Sequence, residues 1–420
     1  MLEDLTIPLF TGIIGYITNW SGIWMLFNPL HFKGVRLPGL AWLVRLFPRK
    51  VQQVPGVMHG GVGWQGIIPS RAAKMGSIAV DKTIAKIGTA SDFYQALEPE
   101  KLAEHVLNAS RDDIRELVEQ SMREQHAQLW SDLPAPVRQA VHDRVQRELP
   151  DVVREVVVDR IGANVDQLLD VKLMVIRRMQ ERPELSNRIY QEVGEKELKF
   201  IINFGFFFGF ACGIPTIFIV HAFPYWWMLP ILGTVIGWVT NWLAISMIFE
   251  PSEPKRVLGK TFQGLFLKRR DHAAEIYAGV VADEIVTAAN IGDELMNGPN
   301  GDRTRHVIES ALRPAVDRAS GQFKPLVRVA VGTREYDAIR ESVATGGADY
   351  TMTPMQDPEF NRETAGKLKA LMVDRMKDLS NPDFAEMLRS AMKEDEWLLF
   401  LHGAVLGFGA GLVHLAIFGV

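Results

Sequence analysis

The sequence has one cysteine, Cys212, among its 420 residues. An intrachain disulfide framework and a cysteine-based metal site are therefore excluded. It also lacks the short motifs that mark common chemistries. There is no Walker loop, no H-E-x-x-H, no G-x-S-x-G elbow and no dinucleotide fingerprint. No nucleophile–base pair stands out, so no catalytic residue, cofactor or metal is expected. Alternating strand patterns are scarce. The net charge of −4 says little about partners, and no nucleic-acid partner is expected.

The most telling absence is local. No Asp, Glu, Lys or Arg occurs in Leu5–Phe27, Phe200–Val220, Trp226–Phe249 or Trp397–Phe418. Each run has about the 20 residues needed to cross hydrocarbon. The charged relay of an ion-coupled pump is missing from all four. The first run is no cleavable signal peptide, because MLED is not a basic leader and no A-x-A-like site follows.

What the chain does contain, it contains twice. Residues 15–29 (GYITNWSGIWMLFNP) and 237–251 (GWVTNWLAISMIFEP) align without a gap. They share Gly15/Gly237, Thr18/Thr240, Asn19/Asn241, Trp20/Trp242, Ile23/Ile245, Met25/Met247, Phe27/Phe249 and Pro29/Pro251, an internal duplication. The second and fourth runs echo each other through Gly205, Gly209, Gly213 and Gly403, Gly407, Gly411. LMVIRRMQERPEL (173–185) corresponds to LMVDRMKDLSNPDF (371–384). A further echo, GIIPSRAAKMGSIAV (66–80) against GLFLKRRDHAAEIYAGVV (264–281), is a helix start marked by Arg71 or Arg269. Both halves enter the membrane in the same direction, so the repeats are parallel.

Basic residues flank one side of the runs only: Lys33, Arg36, Arg45, Arg49 and Lys50; Arg182, Arg188, Lys196 and Lys199; Lys255, Arg256, Lys260, Lys268, Arg269 and Arg270; Lys377, Arg389 and Lys393. The positive-inside rule puts both polar segments in the cytoplasm and both termini outside. Those segments read as helical, with Pro134, Pro136, Pro150 and Pro183 as punctuation in the first. In the second, RHVIESALRPAVDRAS and FNRETAGKLKALMVDRMKDL flank a looser stretch at 332–358. Leu37–Phe47 can lie flat in the headgroup region. The glycine-rich 56–66 lacks the Lys-Ser/Thr of a phosphate loop and reads as a flexible connection.

Thr18, Asn19, Thr240 and Asn241 form the candidate polar site within the membrane. Gly233, Gly237, Asn241 and Ala244 share one helical face, as do Thr11, Gly15, Asn19 and Gly22. Small residues allow close helix approach, and Asn can bond across it. The expectation is a packed bundle with Asn19 and Asn241 pairing with each other; the alternative is an ion, lipid-headgroup or substrate site. The two glycine triplets read as packing stripes. Trp20 and Trp242 read as core fillers, while Trp226, Trp227 and Trp397 read as interfacial anchors. His402 and His414 share a face only loosely and read as hydrogen-bonded bundle residues. Arg36, Arg45, Arg49, Lys50, Arg71, Lys255, Arg256, Lys268, Arg269 and Arg270 are the candidate anionic-lipid contacts.

Together, the T-N-W segments, the G-(I/L)-x-x-x-R elements and the glycine-striped exit spans resemble a bacterial membrane-protein family, Domain of Unknown Function 445. Residues 237–251 are similar to its G-x-x-T-N-x-x-A-I-x-M-L-F-x-P pattern, 66–71 to its G-x-I-P-x-R element and 403–411 to its glycine-rich terminal span. Ser21-Gly22 and Leu267-Lys268 depart from those patterns. The resemblance implies architecture and a bacterial inner-membrane location, and carries no settled activity.

The expected fold is thus an all-α membrane protein of four transmembrane helices in two parallel tandem repeats, with two helical cytoplasmic domains. Its parts are a first span (1–30), a polar domain (31–198), a helical hairpin (199–250), a second polar domain (251–395) and a last span (396–420). The expected role is a non-enzymatic scaffold that interacts with lipid, chiefly anionic lipid, and leaves room for a cytoplasmic protein partner or a homo-oligomer. The alternative is a lipid or small-solute transporter built around the two asparagines.

Overall fold

A computed structural model describes residues 2–38, 40–52, 54–57, 60–81, 88–257, 259–321, 324, 328–329 and 332–418. Of the described residues 82% are helical, and the strands among them form two short hairpins. Residues 1–83, 176–280 and 376–420 make one compact unit, and residues 84–175 and 281–375 make another. Each unit draws on both halves of the chain. The division cuts across the boundaries at 31–198 and 251–395 instead of following them.

Four long helices frame the first unit: α1 (Leu2–Phe27), α2 (Glu195–Ala222), α3 (Met228–Phe249) and α4 (Glu396–Phe418). Helices α2, α3 and α4 are long and apolar enough to cross a bilayer. Helix α1 is of similar length, but Thr6, Thr11, Thr18, Asn19 and Ser21 dilute its apolar run, and it is not among the three. Helix α1 packs along α2, and α3 along α4.

Glycine makes both contacts possible. A methyl group on Gly205 would overlap the Gly15 carbonyl, and one on Gly209 the Thr11 carbonyl. Along α4, Gly403 and Gly407 sit equally close to the Gly237 and Gly233 carbonyls. At the far ends, Gly213 lies on Pro8 and Gly411 on Pro230. Backbones in such contact gain dispersion that side chains would prevent.

The outer faces are apolar, with Phe207, Phe218, Val405 and Ile417 exposed. Trp20 and Trp242 are 53% and 45% exposed, which corrects their reading as core fillers. Asn19 and Asn241 hold the inner face, and the next residue lies about 100° further round the helix. Trp242 instead stacks on Trp238, with 6.2 Å between ring centroids.

Beyond α1, a cis Asn28–Pro29 bond leads to a hairpin of β1 (Lys33–Arg36) and β2 (Gly61–Trp64). The Gly66 amide closes it by donating to the Pro29 carbonyl, at 2.9 Å. Beyond α3, a cis Glu250–Pro251 bond leads to β3 (Lys255–Val257) and β4 (Lys260–Phe262). There the Gly264 amide donates to Pro251, at 3.0 Å. Part of the glycine-rich 56–66 is therefore a strand. Its glycines mask the strand signal, being poor strand formers, yet Gly34 and Gly63 are required where the backbones and the Phe32 ring converge.

The second unit is a helical cluster including Pro99–Asp132, Ala135–Arg154, Gly301–Ser320 and Thr333–Met352. Pro134 and Pro136 mark a helix boundary as expected, but Pro150 lies inside Ala135–Arg154. Residues 333–352, expected to be loose, form a 20-residue helix whose buried face includes Tyr336, Ile339, Ala344 and Ala348. Tertiary burial outweighs the poor helix propensity of its Thr-Gly-Gly stretch.

Within this unit Glu119 receives the Trp130 indole N–H at 3.0 Å, and His142 Nε2 lies 3.0 Å from its other oxygen. The bonds from Trp130 and then from His142 hold the Glu119 carboxyl below its ordinary pKa. Such a group stabilises the fold above its unfolded pKa, and that contribution is lost as pH falls through the folded pKa. Glu119→Gln is expected to cost about 1.5–3 kcal/mol at neutral pH and to flatten the acid limb of a stability–pH curve measured by chemical unfolding. An unchanged acid limb would refute this.

Candidate functional site: the polar centre of the helix bundle

Asn19 and Asn241 both line a cavity of about 90 Å³ among the four long helices, together with Glu197 and Tyr190. They do not bond to each other, contrary to expectation. Asn19 Nδ2 donates to the Ile201 carbonyl of α2, and Asn241 Nδ2 to the Leu399 carbonyl of α4, each at 2.6 Å. Each amide thus crosses to the helix that its own helix packs against. Each also lies where a Cβ on Gly205 or Gly403 would be. The asparagine and the glycine facing it are one packing device. Asn19 Oδ1 remains buried without a hydrogen-bond partner.

Thr18 and Thr240 are buried but line a separate cavity of about 40 Å³, with His414. The Thr240 hydroxyl donates to its own helix, at Ile236. The four residues of the expected polar site are therefore divided between two small cavities with mostly apolar walls. Both span histidines face α1: His402 Nε2 lies 2.9 Å from Ser21 Oγ, and His414 Nε2 3.4 Å from Thr6 Oγ1.

The strongest electrostatic elements lie where α2 and α4 begin. Arg71 forms a two-pronged pair with Asp395, at 3.0 and 3.2 Å, with both side chains at most 10% exposed. Arg269 meets both oxygens of buried Glu197 through Nη1, at 3.1 and 3.2 Å. Each arginine thus answers an acid from the other half of the chain. Arg270 Nη2 donates to the Met376, Lys377 and Leu379 carbonyls, and its Nη1 to Asn381. A fourth cluster joins Arg389 to Glu396 and Glu250.

These bonds divide the expected lipid-contacting cations. Arg71, Arg269 and Arg270 are engaged inside the protein and are not free headgroup ligands. Arg36, Arg45, Lys255, Arg256 and Lys268 are exposed, and the side chains of Arg49 and Lys50 lie outside the described residues. Around the exposed cations stand exposed Val35, Trp42, Leu46, Phe47 and Phe262. The sequence pattern does not mark the acids Glu197 and Asp395, because the apolar runs begin just after them. One signal was available: Glu197 precedes Gly205 by the same interval as Asp395 precedes Gly403. Among the described residues, no group of His, Cys, Asp and Glu could hold a metal ion.

Comparison with known proteins finds bacterial membrane proteins. A UPF0754 membrane protein of Geobacillus kaustophilus is 37% identical over 81 residues, 19% of this chain and 22% of the relative. One from Bacillus pumilus is 24% identical over 172 residues, 40% of this chain and 45% of the relative. One from Bacillus mycoides is 44% identical over 71 residues, 16% of this chain and 18% of the relative. The matches span less than half the length of each of these relatives. No family model matches the chain, and no solved structure does. No family model confirms the resemblance to Domain of Unknown Function 445, and what the matches support is that the chain is a distant homologue of the UPF0754 membrane proteins of Bacillus-group bacteria.

Proposed function

We propose that the protein is a non-enzymatic scaffold of the bacterial inner membrane that holds anionic lipid at its cytoplasmic surface. In this reading all four long helices cross the bilayer as two parallel repeats, with the basic flanks inside and both termini outside. The observation that carries it is the interleaving of exposed apolar and cationic side chains beside the long helices: Val35, Trp42, Leu46 and Phe47 with Arg36 and Arg45, and Phe262 with Lys255 and Arg256. Apolar side chains of this kind enter the headgroup boundary, while the cations meet lipid phosphates.

The bundle interior supports scaffolding over transport. Its cavities are small and mostly apolar, its asparagine amides are spent on helix carbonyls, and its glycines bring backbones into contact. A cytoplasmic protein partner and self-association both fit this role.

The test uses full-length protein in nanodiscs of mixed phosphatidylcholine and phosphatidylglycerol, with bound lipid counted by native mass spectrometry. The wild type is expected to enrich phosphatidylglycerol. At about 1 kcal/mol per cation near the surface, the variant Arg36→Gln/Arg45→Gln/Lys255→Gln/Arg256→Gln should lose most of that enrichment. Equal enrichment by the two proteins would overturn the reading.

A further inference from the structure

The second unit contains a cavity of about 590 Å³ bounded by helices Pro99–Asp132, Ala135–Arg154, Gly301–Ser320 and Thr333–Met352. Its walls are largely aliphatic, with Leu117, Val141, Val145, Leu312, Val316 and Val343 among them. Several of these are only half-buried although they face into the cluster. The volume lies in the range of pockets that enclose a small organic ligand.

The lining indicates the chemistry of the occupant. Among the described residues Tyr336 is its one aromatic side chain, and most of the others that line it are aliphatic, which disfavours a sugar or a nucleotide. A flexible alkyl chain fits such walls. The polar end of the ligand is indicated by Arg144, which also lines the cavity. Nearby Arg313 is paired with Glu309 and Glu341, Arg318 with Glu155, and Arg340 with Asp317 and Asp337. Among the described residues Arg144 has no ion-pair or hydrogen-bond partner, and its Nε is buried and unbonded. Its guanidinium lies over Gly321, where the backbone is left-handed (φ 55°) and any side chain would collide with it. A buried guanidinium N–H is costly without an acceptor, and an anionic head supplies one.

We propose that this cavity binds a single-chain amphiphile with an anionic head, of the fatty-acid class, with the chain between the aliphatic walls and the head on Arg144. The site belongs to the second unit, whereas the proposed surface contacts with lipid belong to the first, so each proposal can fail without the other.

The chain's lone cysteine makes the test direct. In full-length protein carrying Cys212→Ser, Ala319→Cys places a thiol in the cavity lining, and Val343→Cys provides a second reporter should the first disturb folding. The rate of maleimide labelling in nanodiscs is measured with oleate or with oleyl alcohol, which has the same chain and no charge. Oleate is expected to slow labelling, and oleyl alcohol to need about a tenfold higher concentration for the same protection. Arg144→Gln should raise the oleate concentration needed by about tenfold, and Arg147→Gln, on the exposed rim, should not. The proposal is overturned by labelling that oleate leaves unchanged, by equal protection from the two ligands, or by an Arg144→Gln protein that responds like the wild type.

Discussion

Gly403→Leu is expected to dissociate α4 from α3, and Gly205→Leu to do the same to α2 and α1. At both positions even a methyl group would overlap a facing glycine carbonyl and the amide of Asn241 or Asn19. Overpacking a core typically costs about 1–3 kcal/mol. The carbonyl contacts are backbone on backbone, so moving a side chain aside does not relieve them, and the loss should exceed that range. Gly409 supplies the control. It lies on α4 between two stripe glycines, with nothing within 4 Å of where a Cβ would be. Gly409→Leu should therefore fold like the wild type. The measurement is the monodisperse yield in mild detergent, followed by the unfolding midpoint in increasing dodecyl sulfate. Equal losses for Gly409→Leu and Gly403→Leu would show that added bulk, and not the glycine contact, is responsible.

The second large effect is expected at Arg71 and Asp395. Both side chains are nearly buried, and their two hydrogen bonds satisfy both charges. Removing one partner leaves the other charge buried and unanswered, which typically costs about 3–5 kcal/mol. Arg71→Met alone should approach that loss. Arg71→Met combined with Asp395→Asn should recover much of it, because no buried charge is then stranded. A double-mutant cycle on the unfolding free energy measures the coupling. Additive single and double variants would mean that the pair is not energetically coupled.

The bundle was legible in the sequence where its physics is local. Four-residue glycine spacing marks a helix face wherever that face packs, so the stripes in α2 and α4 were found before their partners were known. Partners were harder to identify. Asn19 and Asn241 occupy matching positions, which suggested that they bond to each other, but a shared face does not say which helix lies opposite. The packing of α1 on α2 and of α3 on α4 sends each amide to a backbone carbonyl instead. Trp20 was misread for a related reason: depth in a span says nothing about whether a residue points inward or toward lipid. The glycine-rich hairpin strand escaped because its residues serve close approach and not strand propensity. The 590 Å³ cavity was beyond sequence reasoning, since its walls come from helices about 200 residues apart in the chain. The individual helices around Val141 and Val145 were readable from their spacing, but the space between them was not.

The reciprocal pairing of Arg71 with Asp395 and Arg269 with Glu197 bears on how the chain is made. During synthesis the first half emerges before Asp395 and Arg269, the partners that Arg71 and Glu197 meet in the folded chain. Cutting the gene between α2 and α3 would give two fragments, each holding one arginine and one acid whose ion-pair partners lie in the other fragment. Coexpressed, such fragments are expected to find each other through these two pairs.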